Sequence, residues 1–148
     1  MTAQIPERLA YKGEMAEMHT EPLQEYLTKS STKIDFQVNC SALWRGYIGS
    51  WEIVDGLLYL VGLEGTLKGG AKASLSIIFP NTSGKVLASW YSGTLRIPQG
   101  RQLKYIHMGY NSIFEYDLFL EVLQGRVLAT QLRHNVVEDP VEDDEIPF

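Results

Sequence analysis

Thiols are nearly absent from this chain: Cys40 is the one cysteine in 148 residues. That excludes an intramolecular disulfide and a cysteine-built metal cluster, and a lone Cys reads as a small buried hydrophobe. Histidine is almost as scarce, and His19, His107 and His134 show no ligand spacing. No P-loop, no G-x-G-x-x-G and no G-x-S-x-G occurs, and Gly65 to Gly70 lacks the Lys-Ser/Thr of a phosphate cradle. No cofactor and no metal are therefore expected. No apolar run approaches membrane-spanning length, and Glu7 and Arg8 interrupt the N-terminus too early for a secretory segment. These absences point to a cytoplasmic, bacterial-type protein with no membrane contact. Acidic residues are missing from 65 to 114, where six bases stand instead: Lys68, Lys72, Lys85, Arg96, Arg101 and Lys104.

What is present reads mainly as short strands. Lys12-Gly13 is a two-residue hairpin turn between Arg8–Tyr11 and Glu14–Met18. Asp55-Gly56 is a second, between Ser50–Val54 and Leu57–Val61, because Asp-Gly accepts the positive φ that a type I′ turn needs. Glu21 to Lys29 is the best short helix, with Pro22 in its first turn, Thr20 placed to cap it, and Leu23, Tyr26 and Leu27 on one face. Further strands are expected at Lys33–Val38, Val86–Tyr91, Thr94–Ile97, Leu103–Met108, Glu115–Leu123 and Arg126–Arg133. Leu75–Phe79 is an apolar run stopped by Pro80, and Pro98-Gln99-Gly100 is expected to turn the chain. Turn-punctuated strands at this spacing predict a mainly β domain over 1–135, an antiparallel barrel or sandwich with one short helix, followed by a flexible acidic tail over 136–148.

The tail carries six carboxylates in its last eleven residues and no base. Removing them from the chain's net −5 leaves a body of +1. Their end is Asp143-Asp144-Glu145-Ile146-Pro147-Phe148, a charged peptide closed by an apolar plug and the free α-carboxylate. Such a peptide suits a partner with an apolar pocket rimmed by Lys and Arg. Average residue usage makes a chance Ile-Pro-Phe ending roughly a one-in-ten-thousand event. These six residues resemble the C-terminal tip of bacterial single-stranded-DNA-binding proteins. The resemblance implies capture by replication and repair proteins, the Phe148 ring entering a pocket and the acids meeting a basic rim. It covers the last six to eleven residues only, without that family's long linker. The stretches Trp44-Arg45-Gly46-Tyr47, Ser50–Ile53, Trp90–Pro98 and Tyr105–Tyr110 are similar to a family of small uncharacterised bacterial β-rich proteins, which implies a β fold and no particular activity.

The base-rich middle interleaves its cations with aromatic residues, among them Trp90, Tyr91 and Tyr105. Cations on phosphates and rings under bases are how single-stranded nucleic acid is held, so Lys68, Lys72, Lys85, Trp90, Tyr91, Arg96, Arg101, Lys104 and Tyr105 form a candidate nucleic-acid face. The same rings equally suit the core of a small β protein. Two other readings stand beside this one. A protein-interaction module of the immunity-inhibitor type would expose Trp44, Trp51 and Trp90. A small hydrolase would gather Arg45, Glu52, His107, Glu115 and Asp117 in one pocket, with His107 and Glu115 doing acid–base work. The leading expectation is a non-enzymatic module associated with single-stranded nucleic acid, whose tip recruits replication and repair proteins or mimics their ligand.

Overall fold

Three two-residue turns set the frame. Lys12-Gly13, Asp55-Gly56 and Gln124-Gly125 all carry positive φ at both positions, the mirror-image geometry that matches the twist of a strand pair. They join β1 (Glu7–Tyr11) to β2 (Glu14–Met18), β3 (Tyr47–Val54) to β4 (Leu57–Gly65), and β7 (Ile113–Leu123) to β8 (Arg126–His134). The remaining elements are α1 (Pro22–Lys29), α2 (Leu75–Ile78), β5 (Val86–Leu87) and β6 (Gly93–Lys104). The computed structural model describes residues 4–30, 34–82, 84–106, 110 and 112–136.

The protein is mainly β, as the strand pattern implies. Its eight strands form one sheet in the order β2-β1-β3-β4-β8-β7-β6, with β5 added beside β4. Every pair is antiparallel except β1 with β3, which run parallel through Arg8–Ser50, Leu9–Trp51 and Ala10–Glu52. The sheet is therefore mixed. It curls until its two end strands meet: the His19 N–H, just past β2, donates to the Arg96 carbonyl of β6 at 2.8 Å. One such bond is a contact between ends rather than a ladder, and the sheet does not close. The β4–β8 junction is equally brief, one residue pair at Leu57–Arg126 flanked by Val127 N–H to Gly56 O.

The core fills the curl. Leu9, Met18, Leu23, Tyr47, Trp51, Leu58, Leu60, Ala88, Tyr91, Leu95, Ile97, Leu120 and Val122 form one buried cluster. Helix α1 lays Leu23 into it, with Tyr26 and Leu27 at its margin. Thr20 does not cap this helix. Its hydroxyl accepts the Arg96 N–H at 2.8 Å and helps hold β2's end to β6, and the N-cap position falls to Glu21 without a side-chain bond.

Several local expectations give way to tertiary demands. Leu75–Phe79 contributes a one-turn helix, because Leu75, Ile78 and Phe79 recur at i, i+3, i+4 and pack on the core together. Pro98-Gln99-Gly100 is no turn. Strand β6 runs straight through it, with register shifts after Gln99 and Gln102 absorbing the irregularity. Of the expected strand Lys33–Val38, Lys33 lies outside the described residues, and among residues 34–38 the pairing is a single bridge from Phe36 to Leu67. The strand expected over Val86–Tyr91 stops at Leu87, where the Tyr91 N–H turns back to the Ala88 carbonyl. Cys40 is exposed rather than buried, since it lies on the turn before β3, outside the core. Among the described residues the last one anchored by a side-chain bond is Asn135, whose amide bonds Phe114 O and Asp117 Oδ2, both at 3.0 Å.

Candidate functional site

The two best-placed cations of the body are structural. Arg45, its side chain 4 % exposed, donates through Nε and Nη2 to Glu7 Oε2 at 3.1 and 2.7 Å. Glu7, wholly buried on β1, also accepts the Gly49 N–H at 2.8 Å and the Trp51 indole N–H at 2.9 Å. Burial drives the Glu7 carboxyl above its ordinary range even against these donors. Gly49 has to be glycine here, because a Cβ would run into the Glu7 carboxylate and the Trp51 indole. The outer side of Arg45 faces Glu21 at 3.6 Å, and Glu21 accepts the Tyr110 hydroxyl at 2.6 Å. The chain thus ties β1, the turn before β3, helix α1 and Tyr110 into one polar knot.

Arg96 makes a second knot. It donates to Asp117 Oδ1 at 2.9 Å, to the Ser112 carbonyl at 2.9 Å and to the Tyr110 carbonyl. Asn135 bonds the other Asp117 oxygen, and Arg133 bonds Asn135. His19 lies against Tyr110 and Phe114, with ring centroids 4.8 and 5.8 Å away. Its Nδ1 is buried without a hydrogen-bond partner among the described residues. Burial, then Arg96, pulls this imidazole down to about 4.

The nucleic-acid candidates divide accordingly. Tyr91, 3 % exposed, belongs to the core, and its hydroxyl is turned to the Thr94 carbonyl. Trp90 packs against Phe79, Tyr26 and Trp51 and donates its indole N–H to Pro22 O at 2.9 Å. Neither ring is a stacking platform, because apolar rings on the inner side of so small a sheet are what its core is made of. Arg96 is occupied as described. Lys68 and Lys72 are exposed on the loop after β4; Lys85 is exposed with its Nζ 4.4 Å from the Tyr59 ring centre. Arg101, Lys104 and Tyr105 are exposed at the far end of β6. The sheet order sets β8 and β7 between β4 and β6, so the cations form two groups and not one stripe.

The other candidates separate too. Of the three tryptophans only Trp44 stands on the surface, 61 % exposed, while Trp51 and Trp90 pack inward. Trp44 and Arg45 line a cavity of about 330 Å³ with Phe36, Tyr47 and Lys68. Asp117 lines a different one with Arg96, and Glu115 accepts the Arg101 N–H on the outer side of Gly100. Glu52 sits mid-strand on β3 opposite Tyr59. Among the described residues, Arg45, Glu52, Glu115 and Asp117 line no common pocket, and His107 lies outside the described residues. So do the tip residues Asp143, Asp144, Glu145, Ile146, Pro147 and Phe148. Among the described residues no cluster of His, Cys, Asp or Glu is arranged to hold a metal ion. No described helix is long and apolar enough to cross a membrane.

Sequence reasoning placed β8, expected over Arg126–Arg133, but not how little of it the fold covers. It pairs with β7 along its whole length, Tyr116–His134 through Leu123–Arg126. Its other edge meets β4 only at Arg126. Leu128 and Leu132 are 59 and 57 % exposed. The signal was there in an irregular strand, Arg126 to His134, with no acid and no clean alternation. Set against family models, curated proteins and solved structures, the chain matches none of them.

Proposed function

We propose that this chain is a non-catalytic interaction module that presents an acidic Ile-Pro-Phe tip to replication or repair proteins, recruiting them or occupying the pocket they use for a single-stranded-DNA-binding protein. The observation that carries this reading is the tip itself, Asp143 to Phe148, which resembles a ligand of known chemistry and joins a body held firm up to Asn135. The dispersal of Arg45, Glu52, Glu115 and Asp117 among unrelated contacts favours binding over catalysis. The test is competition. Intact protein should displace a labelled tip peptide of a single-stranded-DNA-binding protein from an enzyme that binds it. Protein lacking Ile146-Pro147-Phe148 should not. Failure of the intact protein to displace the peptide would sink the reading.

Direct contact with single-stranded nucleic acid is the second reading. Five exposed cations, Lys68, Lys72, Lys85, Arg101 and Lys104, lie in a stretch free of acids, with Tyr105 49 % exposed beside the last of them. With Trp90 and Tyr91 packed inward, this contact would be phosphate-led and strongly salt-dependent.

A further inference from the structure

Trp44 is the most exposed Trp, Tyr or Phe among the described residues. It is not a stray apolar group on an open surface, because it walls a cavity of about 330 Å³ together with Phe36, Tyr47 and Lys68. The turn that carries it is clamped: the Trp44 backbone N–H donates to Gln4 Oε1, and Gln4 Nε2 donates to the Ser41 carbonyl, both at 2.8 Å. Phe36 and Lys68 are held to each other by backbone. Beside the Phe36–Leu67 bridge, the Gln37 N–H donates to Thr66 O at 2.7 Å and the Lys68 N–H to Asp35 O at 3.0 Å. The Phe36 ring in turn rests 5.0 Å from that of Tyr47. Ring and cation therefore belong to one preformed cavity. The Lys68 side chain is exposed and makes no ion pair among the described residues, although Asp35 lines the same cavity. Arg45 lines it too, and its Nη1, 3.6 Å from Glu21, is buried without a hydrogen bond among the described residues.

We infer that this cavity takes one nucleotide, its base laid on the Trp44 ring and its phosphate met by Lys68. An exposed aromatic face beside an unpaired cation is the pairing that holds a base and its phosphate. The volume lies at the small end of the roughly 300–1,000 Å³ typical of ligand pockets, which suits one such unit. Asp35 and Gln24, also in the lining, supply the acceptors and donors that the polar edge of a base uses. Other ligand classes fit less of the lining. A neutral sugar would use the ring and the carboxylate but leave Lys68 idle, an aliphatic chain would use neither charge, and an acidic peptide would meet Asp35. The inference rests on the second reading above, contact with single-stranded nucleic acid. It moves the stacking ring from Trp90 and Tyr91, which pack inward, to Trp44.

Tryptophan fluorescence of the full chain at low salt decides it, since Trp51 and Trp90 are packed inward and Trp44 is the exposed emitter. The probes are a single-stranded oligonucleotide of about twelve nucleotides and a free nucleoside monophosphate, which separate a strand from a small molecule as the source of the nucleotide. Both should quench Trp44. Trp44→Ala, checked for folding by circular dichroism, should weaken strand binding roughly 5- to 100-fold and leave its salt dependence unchanged, because stacking carries no charge. Trp44→Phe keeps a ring and should retain most of the affinity. Lys68→Gln should lower the salt slope by about one. Strand binding that survives Trp44→Ala unchanged would overturn the inference and leave the nucleic-acid reading standing. Quenching by the monophosphate without any binding of the strand would uphold the site and remove the nucleic-acid reading. A Trp44 that responds to neither probe, or equally to a neutral disaccharide, would overturn the inference.

Discussion

Glu7 and Arg45 are held by what each would become alone. A buried pair contributes little net stability over a well-packed apolar replacement, but removing one partner leaves an uncompensated charge and typically costs about 3–5 kcal/mol. Arg45→Met should therefore destabilise the fold by that order in urea denaturation, because Glu7 is wholly buried. Glu7→Leu combined with Arg45→Met should recover much of the loss; a double variant as unstable as the sum of the two single ones would contradict the account. His19 makes a different test. Its imidazole titrates near 6.5 when unfolded and near 4 when folded, so below pH 6.5 the unfolded chain takes up a proton that the folded chain refuses. Stability is complete above about pH 6.5, falls as pH drops toward 4, and levels off below. Discounted for the ring's partial exposure, the loss is on the order of 1–3 kcal/mol. His19→Gln should flatten that stretch of the stability–pH curve, and an unchanged slope would assign the effect to other groups.

Elements whose instructions are local could be read from the chain, and those that depend on distant partners could not. Asp55-Gly56 shows the first kind. Gly56 has φ +76°, and a Cβ there would meet nothing within 4 Å, so Gly56→Ala isolates backbone strain. About 1–2 kcal/mol is expected, measured as a shift in the urea midpoint with unchanged slope; no shift would mean the turn relaxes to another type. The three hairpins, helix α1 and the β7–β8 ladder were legible for this reason. The parallel pairing of β1 with β3 was not, because its register is fixed by the Glu7 contacts to Gly49 and Trp51, more than forty residues away in sequence. Pro98-Gln99-Gly100 looked like a turn because its composition is that of one; long pairing with β7 on either side overrides it. Arg96 and Trp90 carried the same sequence signal as Lys104 and Tyr105. Only the fold assigns the first two to a knot and a core and leaves the other two on the surface.

Across the whole molecule, charge is segregated along the chain more sharply than the net value suggests. The body is +1 and the tail holds six acids. A surface of five dispersed lysines and arginines on a chain that also carries six tail acids should bind polyanions weakly, since those acids add to the negative potential that an incoming phosphate backbone meets. Removing Glu138 to Phe148 should therefore increase retention on single-stranded DNA, and the gain should shrink as salt screens the tail within a Debye length of about 10 Å at 0.1 M. Changing Lys68 and Lys72, or Arg101 and Lys104, to Gln in the truncated chain shows which of the two cation groups carries the contact. Whichever pair lowers the salt slope is the phosphate-binding one, and a slope untouched by both pairs would remove these four side chains from the interaction. No retention at either chain length would remove nucleic acid from the protein's partners and leave the tip as its point of contact.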